Sequence, residues 1–74
     1  MPPEPSADRE EPTTRQAILT AARAEFAANG LAGARVDRIS ARAGANKQLV
    51  YYYFGNKEKL YQAVLESVYA EIRS

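Results

Sequence analysis

A short run of polar and aromatic side chains, KQLVYYYF over Lys47–Phe54, contains the residue types that read DNA bases. Gln48 can donate to and accept from adenine in a bidentate pair, and Lys47 can reach guanine or a phosphate. Leu49 or Tyr51 can pack against the methyl group of thymine. We therefore predict that this run forms a helix whose exposed side chains contact base edges in the major groove.

Helical periodicity separates this run into two sides, because successive residues on a helix are about 100° apart. Val50 and Phe54 share one face and, as the apolar pair, are expected to be buried. Gln48, Leu49 and Tyr52 lie opposite them. A leucine and several tyrosines would be an unusual surface for a helix that meets only water. The hydroxyl group of Tyr52 suits a phosphate oxygen.

The two remaining tyrosines, Tyr51 and Tyr53, lie at the shoulders of the predicted helix. They admit two interpretations. Either they contact DNA, or they are aromatic residues at the edge of the core that pack on the following helix. The periodicity does not distinguish between the two.

Positive charge is concentrated around this helix, although the net charge of the chain is only +1. Residues 35–59 contain six basic and two acidic residues, a balance of +4, whereas residues 1–12 have a balance of −3. Arg35 and Lys57 flank the helix, and Lys57 falls in the first turn of the next one, where backbone N–H groups attract anions. Phosphate contacts and ordinary surface solubility both account for these cations; their coincidence with the polar helix favours phosphate.

Composition excludes several other classes of function. The 74 residues include no cysteine and no histidine, so the chain lacks the commonest metal ligands and the commonest general base. There is also no close pair of carboxylates on one helix face. We therefore expect that the protein is not an enzyme and binds neither a metal nor a cofactor. There is no apolar run long enough to span a membrane and no secretory signal, so a soluble cytoplasmic protein is expected.

The elements that would position these side chains are all helical. Residues 1–12 carry all four prolines of the chain and are predicted to be a disordered tail. Residues 13–74 are predicted to form one small domain, beginning with a capping box at Thr13. Ile18, Ala22 and Phe26 recur every four residues on a first helix that should end near Ala28, with Asn29-Gly30 as its stop.

A helix-turn-helix follows this first helix. We predict a second helix over Val36–Ala43, a turn at Gly44, and a third helix over Lys47–Phe54 capped by Asn46. A fourth helix should begin at Lys57. The expected fold is therefore all-α: a small homeodomain-like bundle of three helices plus the start of a fourth, connecting helix.

The segment AGANKQLVYYYFGNKEKLYQAVL resembles the helix-turn-helix of TetR-type (tetracycline-repressor-like) bacterial transcription regulators. The resemblance covers about residues 13 to 70. The matching positions are Ala43, Gly44, Tyr51, Phe54, Lys57 and Leu60, together with Ile18, Ala21, Ala22, Phe26, Gly30 and Ile39 upstream.

The resemblance implies roles for individual residues. Base reading is expected from Lys47, Gln48, Leu49 and Tyr51. Phosphate contacts are expected from Tyr52, Tyr53 and Lys57, where Tyr53 replaces a frequent histidine. Arg35 stands where the family often has a threonine, and can reach phosphate instead.

The resemblance also implies properties of a longer protein. Family members carry a C-terminal domain that binds a small-molecule effector and forms the homodimer. We accordingly expect a sequence-specific regulator, with repression favoured over activation, that binds a palindromic operator in double-stranded DNA. The effector is not expected to bind within these 74 residues.

A helical protein–protein docking module is the alternative interpretation. Tyrosines are enriched at the energetic centres of protein interfaces, so the aromatic face would suit a protein partner. The clustered lysines and arginines fit that interpretation less well.

Overall fold

The computed structural model describes the backbone of residues 3–73 and the side chains of residues 14–73. Four helices, and no strands, make up this part of the chain: α1 (Pro3–Gly33), α2 (Val36–Ala43), α3 (Lys47–Phe54) and α4 (Lys57–Arg73). The all-α prediction is confirmed. The bounds of α1 include residues 3–12, which the sequence analysis predicted to be part of a disordered tail. The capping box at Thr13 lies outside the described side chains and stays a prediction.

Helix α1 presents the predicted apolar stripe to the core, with Ile18, Ala22 and Phe26 all buried. The helix bounds extend past the stop predicted at Asn29-Gly30, but the backbone leaves the helical region at Gly30, where φ is 72° and ψ is 173°. Glycine suits this conformation because it has no Cβ to clash at positive φ. The kink brings buried Ala34 next to the start of α2.

Helices α2 and α3 have the predicted bounds and are joined by the predicted turn. Gly44 adopts a left-handed conformation, with φ 73° and ψ 25°. The N–H of Ala45 then donates to the carbonyl oxygen of Ser40 at 3.0 Å, which closes the end of α2. Helix α3 starts at the side chain of Asn46, whose Oδ1 accepts from the N–H of Leu49 at 2.9 Å.

Helix α4 begins in the same manner, since Asn56 Oδ1 accepts from the N–H of Lys59 at 2.8 Å. Leu60 and Val64 are fully or almost fully buried, whereas Ile72, at the end of the same apolar stripe, is 74% exposed. The stripe is therefore buried only along its first half, where α4 packs against α1. Phe26 of α1 meets Tyr61 edge to face there, with 5.0 Å between ring centroids.

The core forms where α1 packs against both α2 and α4 and where α3 closes the remaining side. Its buried apolar residues are Ile18, Leu19, Ala21, Ala22, Phe26, Ala34, Ile39, Val50, Phe54, Leu60 and Val64. Within residues 3–73, none of the helices combines the length and the apolar character required to cross a bilayer.

The turn between α2 and α3 generates a stability prediction. Replacing Gly44 with alanine should lower the free energy of unfolding by about 1 kcal/mol, because a Cβ is strained at positive φ. Apart from the local backbone and the neighbouring residues, no heavy atom lies within 4 Å of the position that this Cβ would occupy, so backbone strain accounts for the effect. Urea unfolding followed by circular dichroism measures it.

Gly33→Ala is the matched control, because Gly33 does not have a positive φ. This variant should be as stable as the parent protein or slightly more stable. Equal stability of the Gly44→Ala variant would contradict the left-handed turn.

Candidate nucleic-acid interface

The exposed side of α3 carries most of the side chains predicted to contact DNA. Val50 and Phe54 are only 2% and 8% exposed, so they fix the rotation of the helix. Tyr52 is 75% exposed and Tyr51 is 46% exposed. Gln48 is exposed as well. The helical periodicity thus orients these residues as predicted, on a face open to a ligand as large as a DNA duplex.

Two predicted contact residues are less available than the sequence suggested. Leu49 was expected to lie opposite the buried pair, but it is partly buried and packs against the core. It precedes Val50 by one residue, about 100° around the helix, which is close enough for a long apolar side chain to reach the edge of the core. Tyr53 is also partly buried against the core. Its ring stacks edge-on with Tyr52 at a centroid distance of 5.2 Å.

Tyr51 and Tyr53 therefore occupy different environments, although the sequence placed both at the shoulders of the helix. Tyr53 has the packing expected of an aromatic residue at the edge of the core, with only part of its surface left for DNA. Tyr51 is instead among the exposed large side chains and lines a surface groove beside α3.

This depression, which we call the cationic groove, lies between the first turns of α2, α3 and α4 and has a volume of about 350 Å³. Its lining residues are Ala34, Arg35, Val36, Asp37, Lys47, Tyr51 and Lys57. Three of them are basic and one is acidic. The fold therefore brings together cations that lie up to 22 positions apart in the sequence, from Arg35 to Lys57.

Lys57 is held at the groove by the backbone. Its Nζ donates to the carbonyl oxygen of Ala34 at 3.1 Å, which links the start of α4 to the segment ahead of α2. An ammonium group has three donors, so this hydrogen bond leaves capacity for a phosphate oxygen. The Arg35 side chain is 62% exposed beside it.

Asp37, which the sequence analysis did not single out, pairs with two of these cations. Its Oδ1 lies 2.6 Å from Lys47 Nζ, and its Oδ2 lies 3.9 Å from Arg35 Nη2. The hydrogen bond from Lys47, and then its charge, hold the pKa of Asp37 below the ordinary value. The same contact raises the pKa of Lys47. Both groups are therefore ionised at neutral pH.

A second carboxylate missed by the sequence analysis organises the start of α2. Glu25 on α1 is only 2% exposed. Its Oε2 accepts from the backbone N–H of Arg35 at 3.1 Å and from Arg38 Nη1 at 3.5 Å. A negative charge at a helix N-terminus is favourable, since it faces unpaired N–H groups. Glu25 follows buried Ala21 by four residues, and residues four apart lie on the same face of a helix. This spacing was the sequence signal that Glu25 faces inward.

Comparison with known proteins assigns this arrangement to a family. The profile of "Bacterial regulatory proteins, tetR family" matches residues 18–64, more than half of the chain. The chain belongs to the TetR family. The matched residues run from the first core position of α1 to the last buried position of α4, and so contain the whole helix-turn-helix.

Individual relatives and a solved structure agree with this assignment. The HTH-type transcriptional repressor SCO4008 of Streptomyces coelicolor is 57% identical over 60 residues, covering 81% of this chain and 31% of the relative. The repressor NicS of Pseudomonas putida is 49% identical over 57 residues, covering 77% and 27%. A crystal structure of the putative transcriptional regulator SCO4942 from S. coelicolor is 56% identical with a TM-score of 0.72, covering 73% of this chain and 30% of that one.

TetR-family membership confirms the resemblance seen in the sequence and the prediction of a regulator rather than an enzyme. The chain spans about a third of the length of these relatives. The roles predicted for individual DNA-contacting residues are not tested by these similarities and stay predictions.

The Glu25 contacts predict a stability effect with a built-in control. Glu25→Ala should lower the free energy of unfolding by about 1–3 kcal/mol, because the N–H of Arg35 would lose its acceptor in a poorly hydrated position. Glu25→Gln should cost less, since an amide oxygen can still accept from that N–H. Urea unfolding of both variants measures the difference.

Glu66→Ala serves as the reference for removing a carboxylate from an exposed helical position. It should change the free energy of unfolding by about 0.5 kcal/mol or less. If Glu25→Ala had as small an effect as Glu66→Ala, Glu25 would not organise the start of α2.

Proposed function

We propose that this chain is the DNA-binding part of a bacterial transcriptional repressor, with α3 inserted in the major groove. One observation carries the proposal: the exposed polar and aromatic face of α3 adjoins the cationic groove on one side of the molecule. A reader of duplex DNA needs both features, because phosphate contacts position the protein and base contacts provide sequence preference.

Base reading is assigned to the first half of α3. Gln48 and Tyr51 are exposed there, and Lys47 can exchange its contact with Asp37 for a guanine or a phosphate. Leu49 keeps a partial role, since only the part of its side chain that is not packed on the core can meet a thymine methyl group. The four side chains suit hydrogen-bonded and apolar readout over a few adjacent base pairs.

Phosphate contacts are assigned to residues around this face. Tyr52 is the most exposed of the α3 tyrosines, so its hydroxyl group is accessible to a phosphate of the DNA backbone. Arg35 and Lys57 supply charge from the cationic groove, on one side of α3. Tyr53 can contribute through its hydroxyl group while its ring stays packed.

We infer the properties of the whole regulator from its relatives. SCO4008 and NicS are named repressors, which favours repression here. Since this chain corresponds to about a third of their length, we assign homodimerisation and binding of a small-molecule effector to a C-terminal domain beyond these residues. A two-fold dimer would bind a palindromic operator with half-sites one helical turn or a multiple apart. Because a bacterial repressor acts on DNA, we assign the protein to the cytoplasm.

A salt titration of DNA binding tests this function. Fluorescence anisotropy would compare the duplex upstream of the protein's own gene with a shuffled duplex of equal composition. Binding that weakens steeply with salt indicates phosphate contacts, and a preference that persists at higher salt indicates base reading. Absence of binding to either duplex even at low salt would overturn the proposal and favour the protein-docking alternative.

Gln48 provides the sharpest test of base reading. In a duplex selected by the protein from a random pool, Gln48→Ala should reduce the preference over shuffled DNA by roughly tenfold, because one bidentate contact is lost. Affinity for shuffled DNA should stay nearly constant, since no charge changes.

The matched control is Gln62→Ala, the same substitution at an exposed position of α4. It should leave both affinities unchanged. If Gln48→Ala weakened binding to selected and shuffled DNA equally, Gln48 would not read bases.

A further inference from the structure

Asp37 is out of place in an interface for a polyanion. Among the residues that line the cationic groove it is the single acidic one, surrounded by Arg35, Lys47 and Lys57. Its side chain is 55% exposed, so it faces the same solvent from which a DNA phosphate would arrive. A carboxylate at this position repels phosphate and neutralises part of the charge that attracts it.

The ion pairs of Asp37 occupy side chains that the proposed function needs for DNA. The Nζ of Lys47, which is assigned to base reading, lies within hydrogen-bonding distance of Asp37 Oδ1, at 2.6 Å. Arg35, assigned to phosphate, lies 3.9 Å from Oδ2. In the free protein the carboxylate oxygens thus pair with the same cations that would attract phosphate oxygens, and they compete with DNA for the charge of Lys47 and Arg35.

Structural bracing is the competing explanation for Asp37, because the pair with Lys47 joins the first turn of α2 to the first residue of α3. The geometry argues against a large contribution. Both side chains are more than half exposed, and ion pairs in that environment contribute little to stability. The turn between the two helices is already fixed by the Gly44 conformation and by the Asn46 cap.

We propose that Asp37 is an internal competitor for DNA phosphate, which engages Lys47 and Arg35 in the free protein and thereby lowers affinity for DNA of any sequence. This inference rests on the proposed DNA-binding function. Its consequence is that weak, purely electrostatic complexes are suppressed, and the base contacts of α3 must supply a larger share of the binding.

Asp37→Asn tests the proposal, because it removes the charge and preserves the shape of the side chain. Binding to a duplex of mixed sequence is measured by anisotropy over a range of salt concentrations. The variant should bind roughly three- to tenfold more tightly at low salt, and its affinity should fall more steeply as salt rises. Unchanged or weaker binding by the variant would overturn the proposal.

A double-mutant cycle with Lys47→Gln separates competition from a general change of net charge. If Asp37 acts by engaging Lys47, the gain in DNA affinity from Asp37→Asn should be less than half as large when Lys47 is already replaced. An equal gain in both backgrounds would contradict the competitor role.

Two controls complete the design. Glu66→Gln changes the net charge by the same amount from an exposed position nine residues along α4 from Lys57, about 14 Å away. It should alter DNA affinity much less than Asp37→Asn, and an equal effect would count against the proposal.

The second control is stability. Urea unfolding should give similar free energies of unfolding for Asp37→Asn and the parent protein; a large loss of stability would instead support bracing.

The outcomes also separate this inference from the function on which it rests. Binding by the parent protein with no gain in Asp37→Asn would reject the competitor role alone. No binding by either protein at low salt would reject the DNA-binding function, and the competitor role with it.

Discussion

The burial of Val50 and Phe54 is the contact on which the proposed interface depends. Helix α3 has eight residues, too few to be a stable helix by itself in water. It exists because its apolar face completes the core formed by α1, α2 and α4. Since the residues of a helix have fixed angular relations, burying these two side chains also determines which others face outward. The exposure of Gln48, Tyr51 and Tyr52 follows from packing on the opposite side.

The start of α2 depends on a different kind of contact. Arg35 is the N-cap residue of α2 but makes no side-chain cap, and its own N–H donates to Glu25, a buried carboxylate contributed by α1. Lys57 adds a second connection by donating to Ala34, just before α2. The segment that carries Arg35 is therefore held from two directions. Because the backbone of Arg35 is fixed, only its side chain has to be ordered on a ligand, and this reduces the entropy lost on binding.

Charge in this interface is balanced rather than maximised. A binding surface built only from cations would hold DNA of every sequence, and its affinity would depend chiefly on salt. Here a carboxylate lies among the cations, and much of the exposed α3 surface consists of neutral hydrogen-bonding and aromatic groups. This combination favours contacts that distinguish bases over contacts that any phosphate backbone can make.

Much of the fold could be predicted from the sequence, because its signals are local. Apolar residues at helical spacing located the core faces of α1 and α3. Gly44 and Asn46 located the turn between α2 and α3, since few residues tolerate positive φ and few cap a helix through the side chain. The TetR-family resemblance rested on the same positions. Along α4, Leu60 and Val64 are buried whereas Ile72, at the same helical spacing, is exposed, because burial requires a partner helix opposite.

The contacts between helices, by contrast, depend on tertiary packing. The cationic groove joins the first turns of three helices, and no spacing within one helix reveals that Asp37 meets Lys47 or that Lys57 meets Ala34. Glu25 looked like one more charged residue of α1 until the start of α2 was placed against it. Tyr53 was ambiguous for the same reason, since a residue at the shoulder of a helix is buried or exposed according to what lies beside it. Leu49 was predicted to lie opposite the buried pair, and its contact with the core became visible only in the packed structure. The helices and their inward faces could be read from the sequence, because both follow from local geometry. Packing decided which charges and rings meet, because those distances depend on how the helices cross.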